Sequence, residues 1–174
     1  MVKFLHNRKI QICIIQIVIC SIAFPIFAGL KSGNKQDEIS SSEGSINDFE
    51  HVFTRQEIVK LESIVHEIRK STTMEIAVVT LDTASTTSIG FDSTTNYIAK
   101  QWRMGNKIKK TGILIGVSKS IGKVTIQNAN KMEEKISEEQ AGKIVDSVML
   151  PEFERNNPYE AVRLGMLALY DQTK

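Results

Sequence analysis

Beyond its first 28 residues the chain has no cysteine: the two it contains, Cys13 and Cys20, both fall in the amino-terminal stretch. A chain processed behind that stretch has no thiol for nucleophilic attack, disulfide bonding or metal ligation. Histidine is almost as scarce. Only His51 and His66 follow the leader, and their spacing matches neither H-x-x-x-H nor another standard metal pair. His66 is expected at a boundary or exposed helix position, and His51 in a solvated loop. The single tryptophan, Trp102, sits at helical spacing among apolar residues and is expected to pack rather than to stack on a ligand. Hydroxyl groups are plentiful around Ser71, Thr72 and Thr73 and around Thr86, Thr87 and Ser88, but no base or oxyanion arrangement stands beside them, so no nucleophilic triad can be named. A large charge excess is missing too. The chain has 22 Lys+Arg against 20 Asp+Glu; the leader holds three of the cations and no acid, leaving 19 against 20 and a net charge of −1. Overall charge gives no support to a nucleic-acid surface.

The leader itself is informative. Lys3, Arg8 and Lys9 precede an apolar run from Ile10 to Phe27 and the small residue Ala28, the order of an export signal. Cleavage after Ala28 is the favoured outcome. Ile10 to Ala28 is also about long enough to cross a bilayer, so retention as a signal anchor is the alternative, against which Gln11, Gln16 and Pro25 count. The protein is therefore expected to be periplasmic or secreted, with an inner-membrane anchor and membrane contact through residues 10–28 if the leader is kept. Residues 29–45 are polar, rich in Ser and Gly and without apolar periodicity, as in a flexible linker. The folded domain is expected over 46–174.

Within that domain, Thr54 and Glu57 make a T-x-x-E capping box with Phe53 and Ile58 at the staple positions, and Ile58, Leu61, Val65 and Ile68 follow at helical spacing, predicting a helix over 54–70. Met74 to Leu81, MEIAVVTL, reads as a strand buried on both faces. A Ser/Thr-rich loop leads to a second helix over 92–103. GILIGV from Gly112 and KVTIQ from Lys123 read as two strands joined by a hairpin-length turn in which Gly122 supplies positive φ. Ser137 and Gln140 cap a helix expected to stop before Pro151, and a last helix is expected over 159–170. This order predicts an α/β fold, a three-layer α/β/α sandwich around a small mixed sheet.

The stretch GNKIKKTGILIGV from Gly105 superficially matches a phosphate-binding loop. Lys110 stands where the second glycine is required, and the segment follows a helix and opens a strand, the reverse of a P-loop. A cationic loop between structural glycines is the preferred reading.

Several landmarks occur in one order: Asn47-Asp48-Phe49 before a capped helix, the MEIAVVTL strand, Trp102 with Gly105 and a lysine loop, Gly112-Ile113-Leu114-Ile115, a KVTI strand, and a helix leading to Leu150-Pro151-Glu152-Phe153. Together they resemble a TPM domain over about residues 46–173. The resemblance implies an exported or membrane-tethered α/β/α sandwich, and roles assigned within that family: acid phosphatase activity, divalent-cation binding, support of photosystem repair, or modulation of membrane receptors.

The departures from the family pattern shape the expected site. Where relatives carry Asp-Asn-Gly before the third strand, this chain has Lys110-Thr111-Gly112. Where they carry a Gly-Tyr-Gly-Leu-Glu-Gly-type loop after the fourth, it has Ala129-Asn130-Lys131-Met132-Glu133-Glu134. The resemblance thus implies a pocket that keeps Asp48 and Glu133 as metal-binding carboxylates and gains an ammonium at Lys110. A cation in place of an acid removes an oxygen ligand and adds repulsion, so the expected cofactor is none, or a weakly bound divalent cation such as calcium, with a Lys110–Glu133 ion pair as the substitute. The expected function is an accessory or binding module with a membrane or periplasmic protein partner. The alternatives are a metal-dependent phosphomonoester hydrolase, in which Asp48 and Glu133 hold the cation, and an assembly or repair factor for a membrane complex.

Overall fold

The computed structural model describes residues 42, 44–104 and 111–174. The leader 1–28, most of the linker and the lysine loop with Lys110 lie outside the described residues. The elements are β1 (Ile46–Asp48), α1 (Arg55–Ser71), β2 (Glu75–Thr80), α2 (Phe91–Gln101), β3 (Thr111–Ser118), β4 (Lys123–Asn130), a 3-10 turn (Lys131–Glu134), α3 (Glu138–Ile144), a π segment (Val145–Met149), α4 (Leu150–Glu154) and α5 (Pro158–Asp171).

Four strands form one mixed sheet in the order β1-β2-β3-β4. The first three run parallel, with Asp48 beside Thr80 and Thr80 beside Val117. β4 returns antiparallel, pairing Val124 with Val117 and Asn130 with Thr111. β3 is central and buried at all eight positions, which is why its sequence is continuously apolar instead of alternating.

Side chains leave the sheet on two faces. Ile76 and Val78 of β2 and Ile113, Ile115 and Val117 of β3 pack with Leu61, Val65 and Ile68 of α1, with α3 and with α5. Ala77, Val79 and Leu114 pack on the other face with Phe91, Ile98 and Ala99 of α2. Trp102 is half-buried against this second cluster, in the packing role expected of it. The architecture is the three-layer α/β/α sandwich.

The capping box at Thr54 is present, with Glu57 N–H donating to Thr54 Oγ1 at 3.3 Å and Thr54 N–H to Glu57 Oε2 at 2.7 Å. Gly122 has φ 73° in the hairpin turn. One strand was not anticipated and one expectation is corrected. Ile46–Asp48 is a strand, paired along its full length with β2; three residues are too few to show a period of two. The helix capped by Ser137 also does not stop before Pro151. Its ladder shifts to π, with Leu150 N–H donating to Val145 O, and continues as α4. Because a proline ring clashes with the carbonyl of the preceding turn, a widened turn just before Pro151 lets the chain remain helical past it.

Candidate functional site

The carboxyl ends of β1, β2 and β3 meet at one end of the sheet, and there the acidic side chains are bound to backbone. Asp48 Oδ1 accepts from Val52 N–H at 3.1 Å and from Thr80 Oγ1 at 2.7 Å, and Asp48 Oδ2 accepts from Phe53 N–H at 2.9 Å. Thr80 Oγ1 in turn accepts from Glu50 N–H at 2.9 Å. One carboxylate therefore folds the β1–α1 connection back onto itself and ties it to β2. His51 lies in that connection at φ 56°, and its side chain is exposed, as is that of His66 on α1.

Glu50 does similar work two residues on. Its oxygens accept from Lys119 N–H at 2.8 Å and Ser120 N–H at 2.7 Å, pinning the β3–β4 turn to the β1–α1 connection. Glu62 Oε1 accepts from Ser45 N–H at 3.0 Å and Ile46 N–H at 2.9 Å, fixing the start of β1 to α1. These carboxylates serve as backbone acceptors, each replacing a ladder or turn partner that the short β1 cannot supply.

Glu133 is elsewhere. It stands on the 3-10 turn that directly follows Asn130, and Asn130 pairs with Thr111, the first residue of β3. Asp48 is level with the other end of β3, six residues along, or about 20 Å at strand rise. The register therefore places Asp48 and Glu133 near opposite ends of β3 and does not bring them together. The physical reason is the antiparallel return of β4, which delivers its carboxyl end to the edge of the sheet where the parallel strands begin. Lys110 falls outside the described residues, and so does its expected pairing with Glu133. Among the described residues no three His, Cys, Asp or Glu side chains come together as a metal-ligand group.

The other positions that depart from the family pattern have structural partners. Thr111 is buried and donates from Oγ1 to Thr73 O at 2.6 Å. Met132, in the loop after β4, is fully buried in the core facing α1 and α5. The hydroxyl-rich loop before α2 is bonded to itself: Asp82 Oδ1 accepts from Ser85 N–H at 3.0 Å and Ser85 Oγ at 2.7 Å, and Thr86 Oγ1 and Thr94 Oγ1 lie 2.9 Å apart.

Glu133 does face a concavity of a different kind. A groove of about 330 Å³ runs along β4, lined by Val124 through Asn128 in unbroken succession, by Asp92 and Asn96 of α2, and by Glu133, Glu138 and Asp146 on the opposite wall. Asp92 pairs with Lys123 at 3.8 Å. No motif marked this groove; the signal available in sequence was the half-apolar character of KVTIQN beside the fully apolar GILIGV, the mark of a strand covered less well than its neighbour.

A mixed four-stranded sheet between helical layers, with an Asn-Asp-Phe turn feeding a capped helix, is a recognised arrangement. The TPM domain family model matches residues 46–172, and the chain belongs to that family. Two solved structures share the fold. The BA42 protein of the psychrophilic bacterium Bizionia argentinensis aligns with a TM-score of 0.62 at 18% identity, covering 72% of this chain and 83% of that one. The N-terminal domain of a protein from P. gingivalis aligns with a TM-score of 0.59 at 22% identity, covering 73% and 80%. No curated protein resembles the chain closely enough to count as a relative.

Proposed function

We propose that this TPM domain is an exported or membrane-tethered accessory module that acts by binding a protein partner and not by turnover. The observation that carries the reading is the state of Asp48. Both of its oxygens accept hydrogen bonds, three in all, from Val52, Phe53 and Thr80. A carboxylate so engaged would have to give up backbone partners to enter the coordination sphere of a hard cation, which takes six to eight oxygen ligands. Glu133, its supposed co-ligand, belongs to the groove along β4. Lys110, at the position where relatives place an acid, points the same way on charge grounds. Export and tethering rest on the leader, whose basic start, apolar run and Ala28 have the pattern of a signal peptide or anchor.

The test is hydrolysis of a generic phosphomonoester by the purified protein, with and without millimolar calcium or magnesium, alongside a calcium titration of the melting temperature. The expected result is no ester cleavage above buffer and no calcium-dependent rise in melting temperature. Cleavage that is abolished by a chelator and by Glu133→Gln would overturn the reading in favour of the hydrolase. The intact mass of the exported protein reads whether residues 1–28 are removed.

A further inference from the structure

We propose that the outer edge of β4 is a strand-addition site for an extended, lysine- or arginine-bearing segment of a partner protein. The inference deepens the binding-module reading and rests on it.

β4 is the terminal strand of the sheet, and among the described residues nothing pairs with its outer side. In an antiparallel pair, alternate residues turn their N–H and C=O groups away from the partner strand, so an eight-residue strand presents a row of unpaired donors and acceptors. The other edge, β1, is three residues long and offers little. Lys123 guards only one end of β4, and the strand contains no proline. Its Val124-Thr125-Ile126 run suits cross-strand pairing.

This edge forms the floor of a trough. Val124 and Ile126 pack toward the face covered by α3 and the π segment, whereas Thr125 lies on the face covered by α2, close to Thr95. Two helical layers therefore flank the edge, as they would flank a fifth strand. Gly142 in one wall has open space where a Cβ would stand. Asn128 Oδ1 on the floor is buried and has no hydrogen-bond partner, although Nδ2 of the same amide donates to Ile136 O at 2.7 Å.

Charge selects the occupant. Glu133, Glu138 and Asp146 line the trough, are exposed, and form no ion pair among the described residues; Asp92 opposite them has Lys123. Three exposed carboxylates along an open strand edge favour a cationic segment and raise its rate of encounter. The same charges oppose pairing of β4 with β4 of a second copy, because that symmetric contact would bring two acidic rims together.

The experiment uses the full-length protein and three labelled octapeptides read by fluorescence anisotropy: lysine alternating with threonine, the same peptide with glutamate for lysine, and the lysine peptide with alternate backbone amides N-methylated. The lysine peptide should bind saturably and the glutamate peptide should not. N-methylation should weaken binding at least about tenfold, since backbone hydrogen bonds carry affinity in strand addition. Glu138→Gln with Asp146→Asn should weaken it by about tenfold and flatten its salt dependence; both side chains are exposed, and an unchanged melting temperature would show that the variant is folded. Amide chemical shifts should move along 123–130. Equal binding of the N-methylated peptide, shifts elsewhere, or a dimer joined through β4 in the free protein would overturn the proposal. Failure of all three peptides in a protein that cleaves no phosphomonoester sinks strand addition alone; ester cleavage sinks the binding-module reading whatever the peptides do.

Discussion

Asp48 shows how one side chain can be conspicuous in sequence for one reason and matter in structure for another. Its place in Asn47-Asp48-Phe49 made it a metal candidate, while the three hydrogen bonds it accepts make it the fastener between β2 and the start of α1. Hydrogen bonds to a charged group are each worth roughly 1.5–3 kcal/mol, and losing one partner strands the other. Asp48→Ala should therefore lower the unfolding free energy in urea by about 2–4 kcal/mol, and Asp48→Asn by less, because an amide oxygen keeps one acceptor. Thr80, the hydroxyl that ends the largely apolar β2, is the sequence feature tied to this role. A buried hydroxyl needs a partner, but which acid reaches it depends on strand order. A second residue-scale effect lies at the start of α5, where Arg163 Nε donates to Glu160 Oε2 at 2.8 Å and its guanidinium holds the Glu160 carboxyl below its ordinary 4.5. A carboxyl depressed in the folded state contributes stability that is present above 4.5 and lost as pH falls through the lowered value. The pair is partly exposed, so Glu160→Gln should cost about 0.5 kcal/mol at neutral pH, and the gap between the two urea curves should close in acid.

At the scale of elements, two glycines set how closely helices approach their neighbours. A Cβ on Gly116 of β3 would lie 2.5 Å from Thr95 Cγ2 of α2 and 3.0 Å from Thr125 Cγ2 of β4. Gly116→Ala should destabilise by about 1–3 kcal/mol through overpacking. Adding Thr95→Ser, which removes the colliding methyl group but keeps the hydroxyl bonded to Phe91 O, should recover part of that loss; a double-mutant cycle of melting temperatures measures it. On α5 a Cβ at Gly165 would lie 2.5 Å from Met149 Sδ, and Met149 is itself fully buried. Gly165→Ala should lower the melting temperature even though alanine is about 1 kcal/mol the better helix former. The π segment belongs to the same packing, since Met149 ends it and Pro151 follows two residues later. A proline stop was the reasonable sequence expectation there. It was overridden because the extra residue in the turn carries the helix past the ring.

For the molecule as a whole, legibility followed the range of the interactions. Capping boxes at Thr54 and Ser137, the buried strands and the Gly122 turn depend on neighbours within a few residues, and all were readable. The three-layer plan was also readable, because a strand apolar on both faces requires cover on both. What was not readable was the pairing of ends. Asp48 and Glu133 were grouped because each matched a family landmark, and only the antiparallel β3–β4 register shows them at opposite rims of the sheet. The groove along β4 was hidden for the same reason, being assembled from residues 92 to 146. That groove also bears on handling. If mutual repulsion between acidic rims is what keeps neighbouring copies from zipping together, concentrated salt lifts the guard by shortening the reach of charge to a few ångströms. Light scattering should then record slow self-association in molar sodium chloride where a dilute buffer shows lone particles, and returning the sample to dilute buffer should reverse it. A purification that finishes in ammonium sulfate would be the wrong one for this protein.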